Sequence, residues 1–179
     1  MIVVTGASGL VGGNLVRALL SQGRLVRALV HHDRRALDGL DVETTSADLN
    51  DPASLEQAFR GAQVVYHLAS IISIRMDNWE ELERVNVNGT RNVLEACLHC
   101  GVRRLVYFSS IHAYQQKPFD QPLDESRLLL TDDQVPPYER SKAAAELIVR
   151  QAPECGLDIV IIVPTAILGP YDFRPSYLT

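Results

Sequence analysis

Two short stretches of the chain carry residue types whose spacing could do chemistry. In PPYERSKAAAEL, residues 136–147, Tyr138 and Lys142 stand four places apart just after a pair of prolines. On a helix that spacing puts both side chains on one face, a turn apart. They are either an incidental surface pair or a phenol and an ammonium that share one task. The second stretch, TGASGLVGG, follows the opening apolar run and spaces Gly6, Gly9 and Gly12 as GxxGxxG. A glycine at a strand end permits a tight turn, a middle one lets the backbone approach a pyrophosphate, and a last one allows a helix to pack closely on the strand. The N–H groups at the start of that helix then face the anion. Glycines at such a turn can be purely structural, but at the first strand-to-helix turn of an alternating chain they point to a nucleotide.

These groups need a scaffold, and the apolar pattern supplies one. Residues 2–5, 25–30, 64–68, 105–109 and 159–163, with a weaker run at 42–45, read as buried parallel strands. Helical patterns at 11–22, 53–60, 79–100 and 138–151 lie between them. Strand and helix alternate, which predicts an α/β fold with a doubly wound parallel sheet and helices on both faces. Asp51-Pro52 offers a cap and a first-turn proline, and Gly23 and Gly101 stop the helices before them. Residues 114–137, polar and proline-bearing, read as a long loop over the site side of the sheet.

Composition narrows the function classes. With 179 residues, 46% of them hydrophobic, the chain suits one domain spanning 1–179. Its 22 acidic and 17 basic residues form no basic run, which argues against nucleic acid and for a small-molecule partner. The opening MIVV is cut short by Thr5-Gly6 and lacks a basic leader, so neither a signal peptide nor a membrane span is expected and the location should be cytoplasmic. Cys97, Cys100 and Cys155 are too few for a disulfide framework. Cys97 and Cys100 read as CxxC, but near the end of a long helical pattern and with no second pair, so packing is their expected role and no metal site is expected.

The second strand, RLVRALV, ends in apolar Val30 where an acid would bond the ribose hydroxyls of NAD, and runs on as His31-His32-Asp33-Arg34-Arg35. His31, Arg34 and Arg35 are suitable partners for a 2′-phosphate, which favours NADP. Asp33 turned towards a ribose would favour NAD instead, and the charged run also reads as a solvated loop.

The ordered set TGASGLVG, Asp48-Leu49, HLAS at 67–70, VNVNGT at 85–90, YFSS at 107–110, YERSK at 138–142 and PTAILGP at 164–170 resembles the extended short-chain dehydrogenase/reductase family, of the NAD-dependent epimerase/dehydratase type. The match covers nearly the whole chain. It implies a Rossmann fold and hydride transfer between a nicotinamide cofactor and a carbonyl or carbinol carbon. Such a reaction needs an acid/base at the oxygen, and a tyrosine of ordinary pKa is a poor base at neutral pH. By the resemblance Tyr138 is that group, Lys142 lowers its pKa and holds the nicotinamide ribose, and Ser110 rather than Ser109 holds the substrate oxygen. His112 is read as a surface or outer residue without a catalytic part.

The resemblance also implies cofactor contacts at Gly6, Ser8, Gly9, Leu10, Val11 and Gly12. Asp48 and Leu49 match positions at the adenine, Leu68, Ala69 and Ser70 those under the ribose and pyrophosphate, and Pro164 and Ile167 those beside the nicotinamide. Asn86 or Asn88 matches an asparagine that anchors a loop, though either reads equally as polar filler. Relatives usually continue into a smaller substrate domain, so with the chain ending at FRPSYLT that domain is expected to be largely missing. The apolar HLASIISI and Ala166 in PTAILGP favour the dihydroflavonol reductase and 3β-hydroxysteroid dehydrogenase branch, with apolar substrates. The alternatives are a nucleotide-sugar epimerase or dehydratase with transient oxidation, and a non-enzymatic dinucleotide sensor. A homodimer through helices 79–100 and 138–151 is expected.

Overall fold

Short runs of aliphatic and β-branched residues form six parallel strands: β1 (Ile2–Thr5), β2 (Val26–Val30), β3 (Glu43–Ser46), β4 (Val64–His67), β5 (Arg104–Phe108) and β6 (Asp158–Ile162). They hydrogen-bond in the order β3-β2-β1-β4-β5-β6, every neighbouring pair parallel. The order reverses between β1 and β4, which opens a crevice at the carboxyl ends of those strands, where doubly wound sheets take their ligands. This computed structural model describes residues 1–31, 33–73, 76, 78–152 and 156–173. His32, Cys155 and residues 174–179 of the closing FRPSYLT lie outside them.

Among the described residues five α-helices flank the sheet: α1 (Leu10–Ser21), α2 (Pro52–Phe59), α3 (Trp79–Leu82), α4 (Gly89–His99) and α5 (Pro137–Arg150). Strand alternation sorts the core between two faces. Val3 points to one face, where Leu55, Phe59, Val93 and Cys97 of α2 and α4 pack. Its neighbour Val4 points to the other, against Val16 and Leu19 of α1. α5 joins the first face, closing Ala145 and Val149 over Tyr107 of β5. Asp51 accepts a hydrogen bond from the Ala53 N–H and Pro52 opens α2, so the cap read from sequence is in place.

The pattern at 79–100 predicts one unbroken helix, and the structure differs. A π-helical turn, Glu83–Asn88, joins α3 to α4. The wider turn carries one more residue than an α-turn, and it keeps the consecutive Asn86 and Val87 both buried. The segment 114–137 is also more tied down than a plain loop. Tyr114 is buried and bridges Leu129 in antiparallel fashion. Arg127 donates to the carbonyl oxygens of Lys117, Pro118, Gln121 and Pro122. Leu123, Leu129 and Leu130 then pack against Ala113, Tyr114 and Ala143 of α5. Among the described residues no helix is long and apolar enough to cross a membrane, and no group of His, Cys, Asp or Glu is placed to hold a metal ion.

Candidate active site

The glycine loop turns out of β1 through Gly6, whose φ of +65° suits a residue without a Cβ. A Cβ there would also stand 2.7 Å from the Ala69 nitrogen, and one on Gly12 only 2.2 Å from the Gly6 oxygen. These two glycines let main chain meet main chain. Gly9 is different: a Cβ there would meet only the Gly6 oxygen, at 3.4 Å. It caps the start of α1, whose first turn carries no acidic side chain. Leu10, Val11 and Gly12 thus open a helix whose first N–H groups have no partner within it. The loop fits a dinucleotide pyrophosphate on these grounds.

Leu68, Ala69 and Ser70 leave β4 directly against this loop. The N–H groups of Leu68 and Ala69 each donate to Thr5 Oγ1, at 3.2 Å. With two donors already on its oxygen, the Thr5 hydroxyl proton goes to His67 Nδ1, 2.8 Å away. His67 Nε2 therefore carries the ring proton and donates to Thr90 Oγ1 at 3.1 Å, and Thr90 donates to the Asn86 carbonyl oxygen at 2.6 Å. Burial and the charge on Lys142 hold the His67 pKa down at about 3, so the ring is neutral. Asn86 also settles an open alternative. Its side chain accepts from the Ile71 N–H at 2.8 Å and donates to the Ile71 oxygen at 2.9 Å and to Ser141 Oγ at 3.0 Å. Ser141 donates in turn to the Tyr138 carbonyl oxygen at 2.7 Å. Asn86 is the loop anchor, while Asn88 is exposed and accepts from Arg91.

The β5 end and the start of α5 bring the chemistry-bearing side chains together. Ser110 is 7% exposed, accepts from the His112 N–H at 3.2 Å and lies beside Tyr138, whose pKa it lowers. Burial raises the Tyr138 pKa, and Ser110 offsets part of that rise. Lys142, 4% exposed, donates to the Phe108 carbonyl oxygen at 2.8 Å, and its ammonium lies 5.1 Å from the centre of the Tyr107 ring. Burial lowers its pKa to about 8, against a raising effect of Glu146. Burial is the largest influence on the Tyr138 phenol in this structure and holds it above its ordinary value. Ser109 instead donates into Glu146, which agrees with Ser110 as the hydroxyl at the site. His112 is exposed, with its ring centre 6.4 Å from that of Tyr138 and Nδ1 3.8 Å from Glu139.

The remaining expected positions ring the same end of the sheet. Arg34 donates to Thr44 Oγ1 at 2.8 Å, and Arg35 holds Asp33 at 2.8 Å, so Asp33 is engaged within its own loop. His31 is exposed at the end of β2. Asp48 accepts from the Asn50 backbone and side-chain N–H groups, both at 2.9 Å, which holds its carboxyl below the usual range. Leu49 lies where a Cβ on Gly89 would come within 3.0 Å of it, which accounts for the glycine of VNVNGT. Pro164 accepts from the Ile111 N–H at 3.0 Å, and Ile167 is exposed on the segment after β6. Cys97 is buried, its thiol pushed up by burial, and Cys100 Sγ donates to the Glu56 oxygen, so packing is what the CxxC does here. Thr5, His67 and Glu146 are site neighbours that sequence reasoning did not single out, although all three stand inside quoted motifs.

Residues 2–179 match the profile of the NAD dependent epimerase/dehydratase family. The chain is 43% identical to sterol demethylase protein B of Methylococcus capsulatus over 176 residues, covering 97% of this chain and 53% of that protein. It is 41% identical to a putative dihydroflavonol 4-reductase of Synechocystis over 175 residues, covering 97% and 51%. Among solved structures it resembles a short-chain dehydrogenase/reductase superfamily protein from Agrobacterium tumefaciens with bound NAD, at 34% identity and a TM-score of 0.74, covering 90% of this chain and 48% of that one. The chain thus spans about half the length of the curated relatives it matches.

Proposed function

The chain belongs to the NAD dependent epimerase/dehydratase family, and on that premise we propose that residues 1–179 form the NAD(P)-binding domain of an oxidoreductase. The reaction moves a hydride between a nicotinamide cofactor and a carbonyl or alcohol of an apolar small molecule. The observation that carries this reading is the placing of Ser110 beside Tyr138 with buried Lys142 one turn along α5, at the same sheet end as the glycine loop.

The nicotinamide supplies or takes the hydride. Ser110 orients the substrate oxygen, and Tyr138 gives it a proton on reduction or takes one on oxidation. A tyrosine holds its proton at neutral pH with or without burial, so Tyr138 can give a proton to the substrate oxygen in the reducing direction. Lys142 holds the ribose and supplies positive charge near the phenol once it leaves the Phe108 oxygen. Gly9, Leu10 and Val11 bind the pyrophosphate through main-chain N–H groups. Leu49 and Leu68 flank the adenosine.

NADP is the favoured form, on the absence of an acid at Val30 and on His31 and Arg34 beyond it; Arg34 would then exchange Thr44 for the 2′-phosphate. The partner is a small molecule rather than a nucleic acid, the location is cytoplasmic, and two chains pair through α3–α4 and α5, where Leu147 is exposed. Separate calorimetric titrations with NADPH and NADH, followed by net NADPH oxidation with polycyclic and aromatic ketones, test the reading. Tighter NADPH binding and net oxidation support it. Turnover of a UDP-sugar with no net change in cofactor would replace it with transient oxidation, and binding without turnover of either class would leave a sensor.

A further inference from the structure

A buried carboxylate lies one turn beyond the lysine. Tyr138, Lys142, Glu146 and Arg150 follow one another every four residues on one face of α5. Glu146 is 0% exposed, and an anion taken so fully out of water persists only where its oxygens are filled. Both are. Ser109 Oγ donates to Oε2, and Tyr114 Oη donates to Oε1. Arg150 adds Nε at 2.8 Å and Nη2 at 2.7 Å to Oε1, and its Nη2 also reaches the Tyr114 hydroxyl at 2.9 Å.

The partners come from consecutive residues at the β5 end. Phe108 offers its carbonyl oxygen to Lys142 and Ser109 its hydroxyl to Glu146, while Ser110 lies beside Tyr138 and lowers its pKa. Three successive residues of the strand end thus face three residues one turn apart on the helix, two of them through hydrogen bonds. Glu146 is the rung whose own partners, Ser109, Tyr114 and Arg150, are not among the positions expected to hold cofactor or substrate. It is also a charge that faces Lys142 along α5, where the other titratable neighbours are Tyr138 on α5, Tyr107 on β5 and His67 on β4.

We propose that Glu146 is a positioning residue of the active site, which locks Ser109 so that Ser110 meets Tyr138 and keeps the Lys142 ammonium charged inside the protein. The proposal rests on the reading of Ser110, Tyr138 and Lys142 as the reacting group, but its test needs no turnover. Burial pulls the lysine towards the neutral amine, and Glu146 opposes that pull. Arg150, on the far side of the carboxylate, weakens its field at Lys142.

The chain has two lysines, Lys117 and Lys142, so ¹³C-lysine labelling gives two Cε signals, and Lys117→Arg assigns them. We expect the Lys142 titration midpoint to fall by about one unit in Glu146→Gln, to stay near its original value in Glu146→Asp, and to rise in Arg150→Gln, with Lys117 unmoved throughout. A merely structural carboxylate would not produce shifts of opposite sign. If Glu146→Gln does not fold, the Arg150→Gln shift decides. An unmoved Lys142 midpoint in Glu146→Gln, or in Arg150→Gln where Glu146→Gln does not fold, overturns the proposal. Loss of the shifts with Tyr138 still needed for turnover would reject Glu146 alone, while intact shifts with Tyr138 dispensable would reject the catalytic reading.

Discussion

The glycine loop and the junction of β5 with α5 stand at the same end of one sheet, but different forces hold them. At the loop, main chain packs on main chain: a Cβ on Gly6 or Gly12 would lie 2.7 Å or 2.2 Å from backbone atoms. At the junction, charged side chains are taken out of water, with Lys142 at 4% and Glu146 at 0% exposure, and hydrogen bonds to the strand end replace their solvation. The first region should fail sterically, losing the fold and the site together. The second should fail electrostatically, through charges left buried without their partners.

The largest expected effect breaks the steric side. Gly12→Ala forces a methyl group against the Gly6 oxygen at 2.2 Å, and denaturant unfolding should show a loss of about 3 kcal/mol or more. Gly9→Ala, with its nearest atom at 3.4 Å, should unfold within about 1 kcal/mol of the parent yet bind NADPH more weakly. Equal stability of all three chains would remove the steric account.

Between the two regions lies His67, and pH probes it. Its pKa is about 3 in the folded chain against 6.5 when unfolded. The unfolded state alone takes up this proton between those values, so the contribution is whole above pH 6.5 and is lost as pH falls towards 3. By pH 4 the loss reaches about 3 kcal/mol. Unfolding curves of the parent and His67→Gln should therefore converge on acidification, and a constant gap would contradict a neutral buried ring. A smaller effect is expected at Asn86, which ties Ile71 to Ser141. Asn86→Ala leaves those groups unpaired and should cost about 2 kcal/mol in thermal or denaturant unfolding. Asn88→Ala, at an exposed position, should cost less than about 0.5 kcal/mol.

The contrast also explains what was legible in the sequence. The glycine loop and the strands are local signals: one residue type at fixed spacing, and apolar runs of the right length. Tyr138 and Lys142 were found for the same reason, since a helix turn relates them. Asn86 could not be separated from Asn88, because the π-turn that buries one and exposes the other leaves no periodic mark in VNVNGT. His67 and Glu146 went unnoticed because their partners are distant in the chain. Thr5 lies 62 residues before His67, and Ser109 lies 37 before Glu146. A polar residue with remote partners reads as surface filler. The repeat of Tyr138, Lys142, Glu146 and Arg150 along α5 was the available sign, since a charged column continuing from a reactive pair is placed to support it.

The most direct test of the catalytic reading is Tyr138→Phe, which removes one hydroxyl from a side chain that is only half-buried. NADPH affinity by calorimetry should be unchanged, while net NADPH oxidation with an apolar ketone should fall by roughly 10²–10⁴-fold. Turnover retained at the parent rate, with the cofactor still bound, would contradict the assignment of Tyr138 as the proton-transferring group.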